Sequence, residues 1–226
     1  MGSVFYQVSG LVARPLLAGM FRLSSTGKKN VPKKGAAILA SNHLSYIDSF
    51  LIPVPIWRPV TWISKAEHFD VPVQRFLFKQ WNVIPMRRGT GDMEAFEQSV
   101  EVLREGKLLG IHPEGTRSTD GKLHRGRTGA VRMAIRAGCP IVPIGLVGTD
   151  KALPKGSSKP RFVKVQLHYG KPIDYAAYAG RADDRELVRK LTEDLMLAIR
   201  DLSGQELADD FHQDPSRKAP REGDRA

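Results

Sequence analysis

The chain is predicted to fold as α/β, with a mixed, mostly parallel central sheet flanked by helices. Three observations predict this. Short apolar runs alternate with amphipathic stretches from residue 36 to residue 202. Several of the runs are rich in Val and Ile and are bounded by Gly, Pro or Asn, the composition of buried strands. Residues 162–168 instead alternate apolar and polar side chains, as in a strand with one solvated face.

Residues 3–23 place Val4, Val8, Leu11, Val12, Leu16, Met20 and Phe21 largely at helical spacing, with Arg14 and Arg22 among them. Pro15 predicts a kink or two short helices there. The apolar face suits insertion beneath lipid headgroups, and it equally suits packing on the protein's own core. After a turn-rich basic stretch ending at Gly35, the pattern predicts a strand over 36–40, a helix over 47–56 and a strand over 60–64. A helix over 73–79, a strand over 83–86, an amphipathic helix over 92–104 and a strand over 108–112 come next. A helix over 130–137, strands over 141–147 and 162–168, and a leucine-periodic helix over 186–202 complete the core. From Gly204 the chain turns polar and charged, with Phe211 its single aromatic residue, too little apolar area to offset ordering entropy. The expected organisation is an amphipathic, basic membrane-associating segment over 1–29, an α/β domain over 30–203 and a disordered charged tail over 204–226.

With 226 residues, 41% of them hydrophobic, the chain can bury one substantial core. Its formal charge of +11 makes phosphates the expected partner class, on lipid, nucleic acid or a small molecule. Arg14, Arg22, Lys28, Lys29, Lys33 and Lys34 precede the first acidic residue, so more than half of the excess lies before Asp48. The single cysteine, Cys139, excludes an internal disulfide and a multi-cysteine metal site, and its apolar, proline-flanked position predicts burial. No stretch approaches the roughly 18 apolar residues of a spanning helix. No histidine cluster has metal-ligand spacing, and no metal is expected. RRGTGD, residues 87–92, lacks the Walker lysine and reads as a polar turn before a helix. KKNVPKK, residues 28–34, reads as a lipid-headgroup patch or a solvated linker.

Two segments carry chemistry. In NHLSYID, residues 42–48, His43 and Asp48 leave the end of an apolar strand together, which is where α/β sites lie. A histidine near neutrality can take a hydroxyl proton, and a carboxylate on its other nitrogen fixes the tautomer and stabilises the imidazolium. No GxSxG elbow supplies a serine nucleophile, and Ser45 and Ser49 read as turn and N-cap residues. In HPEGTRS, residues 112–118, Gly115 lets a backbone amide approach an anion, Thr116 and Ser118 offer hydroxyls, and Arg117 can grip two phosphate oxygens. The plainer reading is a turn in which Arg117 pairs with Glu114.

Both segments in this order resemble the glycerolipid acyltransferase family that includes 1-acylglycerol-3-phosphate (lysophosphatidic acid) acyltransferases. Asn42, His43 and Asp48 match its NHxxxxD block, and residues 112–118 match its FPEGTRS block with His112 in place of phenylalanine. In VIPMRR the resemblance aligns Arg88 with the second block's arginine, with Arg87 as the substitute, and Ile141, Val142, Pro143 and Ile144 match the fourth block. Lys65 and Glu67 match a lysine and glutamate found between the first two blocks. The resemblance covers roughly residues 30–170.

The family reading implies that His43, oriented by Asp48, moves an acyl group from acyl-CoA or acyl carrier protein to the free hydroxyl of 1-acyl-glycerol 3-phosphate, giving phosphatidic acid in phospholipid biosynthesis. Arg88, Glu114, Gly115, Thr116 and Arg117 would hold its phosphate, and Lys65 would anchor phosphate or stabilise the oxyanion. It implies no cofactor, no nucleic-acid partner, an anionic membrane surface as partner, and a peripheral or monotopic place on the cytoplasmic face of the cell membrane. Two alternatives remain open here: another acceptor, such as glycerol 3-phosphate, a glycolipid or an aminolipid, and a non-catalytic basic module.

Overall fold

The computed structural model describes residues 2–87, 92–154, 157, 159–209 and 211, and for residues 2–7, 73 and 74 the backbone alone. Seven strands form one sheet in the order β1-β7-β6-β2-β5-β3-β4. They are β1 (Ser24–Thr26), β2 (Ala37–Ser41), β3 (Val60–Lys65), β4 (Ile84–Met86), β5 (Leu108–Ile111), β6 (Ile141–Val147) and β7 (Gln166–Tyr169). Every neighbouring pair is parallel except β6 with β7. The expected mixed, mostly parallel sheet is therefore present, with β1 and β7 as its reversed flank.

Helices α4 (Met93–Arg104), α5 (Gly129–Ala137) and α7 (Arg185–Ser203) cover one face, packing Val100, Leu103, Met133, Leu195 and Ile199 with Ile38 and Ile141 of the sheet. The opposite face carries Leu39, Leu108 and Val142 with Ile52 and Ile56. β2 and β6 are buried along nearly their whole length, which explains why they read as unbroken apolar runs. Capping follows the sequence at two helices, where Asp92 accepts from the Ala95 amide at 3.1 Å and Asp184 from the Leu187 amide at 3.1 Å.

Several expectations need correction. α1 (Gly2–Met20) runs unbroken through Pro15, since a proline inside a helix forfeits one backbone bond without having to end it. Its C-terminal part packs Leu17, Met20 and the next residue, Phe21, with Leu51 and Val165, whereas Val8, Leu11, Val12 and Leu16 stay exposed. The basic segment drawn to residue 29 thus ends inside the fold, because Ser24–Thr26 is a strand of the sheet. The helix expected over 47–56 shrinks to α2 (Asp48–Leu51), since Pro53 and Pro55 remove donors that a longer helix needs. The strand expected over 162–168 begins only at Gln166, whose partner Val147 is the last residue of β6. Before it, the Val165 amide donates to the Phe21 carbonyl at 3.0 Å.

The tail expected from residue 204 is in part core. Leu207 bridges Leu123, the Ala208 amide donates to the Leu123 carbonyl at 3.0 Å, and Phe211 is 1% exposed. A low apolar density along the segment hid this, because one large ring suffices to anchor a short return. Residues 210 and 212–226 lie outside the described residues. Topology also separates the end of the basic stretch from the candidate site: Lys33 and Lys34 lead into the start of β2, whereas His43 follows its end. Arg58 closes the end where β2 starts by donating to the carbonyls of Pro32, Gly35 and Gly106. Remaining helices are α3 (Pro72–Gln80), close to its expected place, and the short α6 (Thr149–Ala152), which the sequence reading missed.

Phe211→Ala is expected to cost about 3 kcal/mol of stability, the usual size for a buried aromatic truncation. Urea denaturation of the two chains measures it, and an unchanged midpoint would return residue 211 to a tail.

Candidate active site

The chain leaves the upper end of β2 at Ser41 and is immediately caught by Asn42. This buried amide accepts from the Leu146 amide at 2.8 Å and donates to the Leu146 carbonyl at 3.0 Å, imitating one more rung of pairing with β6. The next residue is His43. Its Nδ1 meets Oδ2 of Asp48 at 2.9 Å, and the same oxygen accepts the amides of Leu44 at 2.7 Å and Ser45 at 2.8 Å. Asp48 is wholly buried and His43 is 17% exposed, so the carboxylate is fixed inside while the other ring nitrogen remains available. The predicted pairing of His43 with Asp48 is present in the geometry that a general base needs.

Residues 112–118 turn back over this loop. The Ser118 amide donates to the His43 carbonyl at 2.8 Å, and Oε1 of Glu114 accepts the His43 amide at 2.9 Å. Its Oε2 accepts the His124 amide at 3.1 Å. Glu114 was expected to help hold a phosphate; instead it is 5% exposed and spends both oxygens on backbone donors. With both oxygens engaged by the backbone, its part is to tie the loop after β2 to the loop before α5. Burial is the main influence on its carboxyl and raises it from 4.5 to about 7, against the pull of those two amides. The alternative pairing of Arg117 with Glu114 does not occur, since Arg117 lies over the Tyr46 ring, 3.5 Å from its centroid.

His112 stands where the family block carries phenylalanine. Its ring stacks on His43 at 3.9 Å with an interplanar angle of 4°, and Trp62 backs it at 5.3 Å. Its Nδ1 lies 2.9 Å from Ser41 Oγ and its Nε2 3.1 Å from Ser49 Oγ. Burial first, then the neighbouring His43, hold His112 well below the usual histidine range, so it stays neutral and cannot compete as base. Ser49 is therefore a partner of His112, and Ser45 donates to the Leu153 carbonyl at 2.7 Å; neither caps α2. Nothing in the sequence spacing marked the contact between Ser49 and His112, because the two are 63 positions apart.

His43 opens on a cavity of about 670 Å³. One part is apolar, with Val60, Ile63, Phe78, Trp81, Met86 and Met133 on its wall, and α1 contributes Ala13, Arg14 and Leu17. Lys65, Gly115, Thr116, Arg117 and Arg127 also line it. The cavity thus gathers His43 with most of the predicted anion-binding residues. Arg88 lies outside the described residues. Gly115 adopts φ 71°, a left-handed turn that a side chain would strain, and its amide donates to the His112 carbonyl at 2.9 Å. Arg127 and Gln205 were missed: Arg127 sits in no recognised block, and Gln205 lies in the segment read as tail. Gln205 joins the site from behind, its side chain linking Asn42 Nδ2 at 2.7 Å to the Gly121 carbonyl at 2.8 Å. Cys139 is buried as expected, with its thiol pushed up to about 12, far from nucleophilic ionisation.

The chain matches a family model described as Acyltransferase over residues 22–147. It is 31% identical to a chloroplastic 1-acyl-sn-glycerol-3-phosphate acyltransferase of Brassica napus over 72% of this chain and 47% of that protein. It is 30% identical to a probable 1-acyl-sn-glycerol-3-phosphate acyltransferase of Mycoplasma pneumoniae, covering 75% of this chain and 68% of the relative. The chain spans about half the length of the curated relatives it matches. Among solved structures it is similar to the 1-acyl-sn-glycerophosphate (LPA) acyltransferase PlsC from Thermotoga maritima, with TM-score 0.62 and 26% identity over 82% of this chain and 76% of that one.

Folded protein keeps a proton on Glu114 that the unfolded chain gives up, so stability present below pH 4.5 is lost as pH rises toward 7. Thermal denaturation across that window should show a steeper fall for the parent chain than for Glu114→Gln, whose amide does not titrate. Parallel slopes would remove Glu114 as the titrating tie.

Proposed function

Since the chain belongs to the acyltransferase family, we propose that it transfers a fatty acyl group from a thioester, acyl-CoA or acyl carrier protein, to the free hydroxyl of 1-acyl-glycerol 3-phosphate, giving phosphatidic acid for phospholipid synthesis. The observation that carries this reading is the His43 and Asp48 pair facing a cavity with an apolar wall and basic side chains. The names of its relatives support the acceptor.

The acceptor's hydroxyl proton passes to Nε2 of His43 as its oxygen bonds to the thioester carbonyl carbon. Asp48 keeps the proton of the resting ring on Nδ1 and stabilises the imidazolium that forms. Collapse of the tetrahedral oxyanion breaks the carbon–sulfur bond, and the departing thiolate takes the proton from His43. No acyl-enzyme forms and no cofactor takes part. His112, stacked and neutral, keeps the His43 ring plane fixed throughout. Lys65 and Arg117 attract the anionic headgroup and the developing oxyanion, while the apolar wall takes acyl chain. His43→Ala should lower turnover by about 100- to 10,000-fold, read as thiol release from acyl-CoA in the presence of lysophosphatidic acid. Retained turnover would dismiss the base.

The same reading puts the protein on an anionic membrane surface at the cytoplasmic face, held peripherally or monotopically. Among the described residues no helix is long and apolar enough to cross a membrane. Val8, Leu11, Val12 and Leu16 of α1 are 59–71% exposed, an apolar row on the helix that also lines the cavity, so lipid could enter where α1 meets the membrane. Val12→Asp should weaken sedimentation with phosphatidylglycerol-containing vesicles by roughly tenfold, since one apolar contact becomes a buried charge. Equal sedimentation of both chains would place the contact elsewhere.

A further inference from the structure

Resting on the function proposed above, we infer that Arg127 is a specificity-determining residue that makes the headgroup site select a phosphate monoester over a phosphodiester. The inference starts from a charge count on the cavity wall. Arg132 bonds Asp183 at 2.7 Å and so already has a counter-charge, while Arg14, over the Trp57 ring at 4.6 Å, belongs to α1 and not to the turn that carries Gly115. Lys65, Arg117 and Arg127 have no carboxylate partner among the described residues. The acidic residue lining the cavity, Asp92, is committed to the amides of Arg87 at 2.8 Å and Ala95 at 3.1 Å. Besides Arg14 of α1, three cations therefore face one space without a counter-charge among the described residues.

Arg127 is held there by the fold. Its backbone amide donates to the Pro113 carbonyl at 2.8 Å, which lays the residue alongside the turn that carries Gly115 and Arg117. A Cβ on Gly115 would stand 2.7 Å from Arg127 Nε and 3.0 Å from its Cδ. Glycine at 115 thus serves two needs, the left-handed turn and the room for this guanidinium. Arg117 approaches the same turn from its Tyr46 side, so two planar guanidiniums flank it.

A phosphate monoester carries a charge of about −1.5 to −2 at neutral pH and offers three terminal oxygens, whereas a diester carries −1 and offers two. Two guanidiniums and an ammonium supply one cationic donor for each of the three terminal oxygens of a monoester, and one more than the two oxygens of a diester can use. Loss of Arg127 leaves two cationic groups, one for each terminal oxygen of a diester, and strands the third oxygen of a monoester.

The test compares the full chain with Arg127→Ala on three acceptors, lysophosphatidic acid, lysophosphatidylglycerol and monoacylglycerol, using one acyl-CoA. Titration calorimetry with glycerol 3-phosphate runs beside it. Arg127→Ala should lower kcat/KM for lysophosphatidic acid by about 10- to 100-fold, through KM, and change the other two less than about threefold. Binding of glycerol 3-phosphate should weaken by the same factor. Equal losses on all three acceptors would reveal a folding defect, and an unchanged KM for lysophosphatidic acid would show no contact; either overturns the inference. If the parent chain acylates no lysolipid, the proposed reaction fails, while the calorimetry still decides Arg127.

Discussion

One buried oxygen, Oδ2 of Asp48, organises the upper end of the sheet. It accepts two consecutive backbone amides and the imidazole Nδ1, so a single carboxylate shapes the loop after β2 and orients the ring that the loop carries. A carboxyl group with no solvent contact needs such donors in place of water. Remove the carboxylate and the loop loses its template as well as the His43 ring its partner. Glu114 repeats the device one layer out, fastening the His43 amide to the loop before α5.

These two acids differ in what they do to charge. Asp48 serves the histidine directly. Glu114 faces away from the cavity, and its burial leaves the cavity wall without an opposing free carboxylate. The uncompensated basic region of the cavity is thus a consequence of where acidic side chains are spent. His112 adds a third constraint, because an imidazole between two serine hydroxyls cannot rotate without losing both contacts.

Most of the sheet was legible because β2, β5 and β6 are buried on both faces and read as unbroken apolar runs. The strand Ser24–Thr26 was not, since three small polar residues at an edge carry no burial signal. His43 with Asp48 was legible because the two are joined by local chain, five positions apart. The true work of Glu114 was hidden, as a motif tells which residue is present but not which way it points. Arg127 was hidden for another reason: its neighbours across the turn are set by tertiary folding, and a lone arginine before a helix has no distinctive spacing. Phe211 and Gln205 were hidden by the composition around them.

Gln205 carries a consequence for the order in which the protein matures. Its amide closes on Asn42, 163 positions earlier, and on the Gly121 carbonyl, so three distant parts of the chain meet at the back of the site. At a synthesis rate of about 5–20 residues per second, roughly 8 to 30 s separate the two partners on the ribosome. During that interval β2 and its histidine have emerged, yet the brace behind them has not. The end of the sheet that carries His43 is therefore braced from behind only after α7 and the residues that follow it have been made.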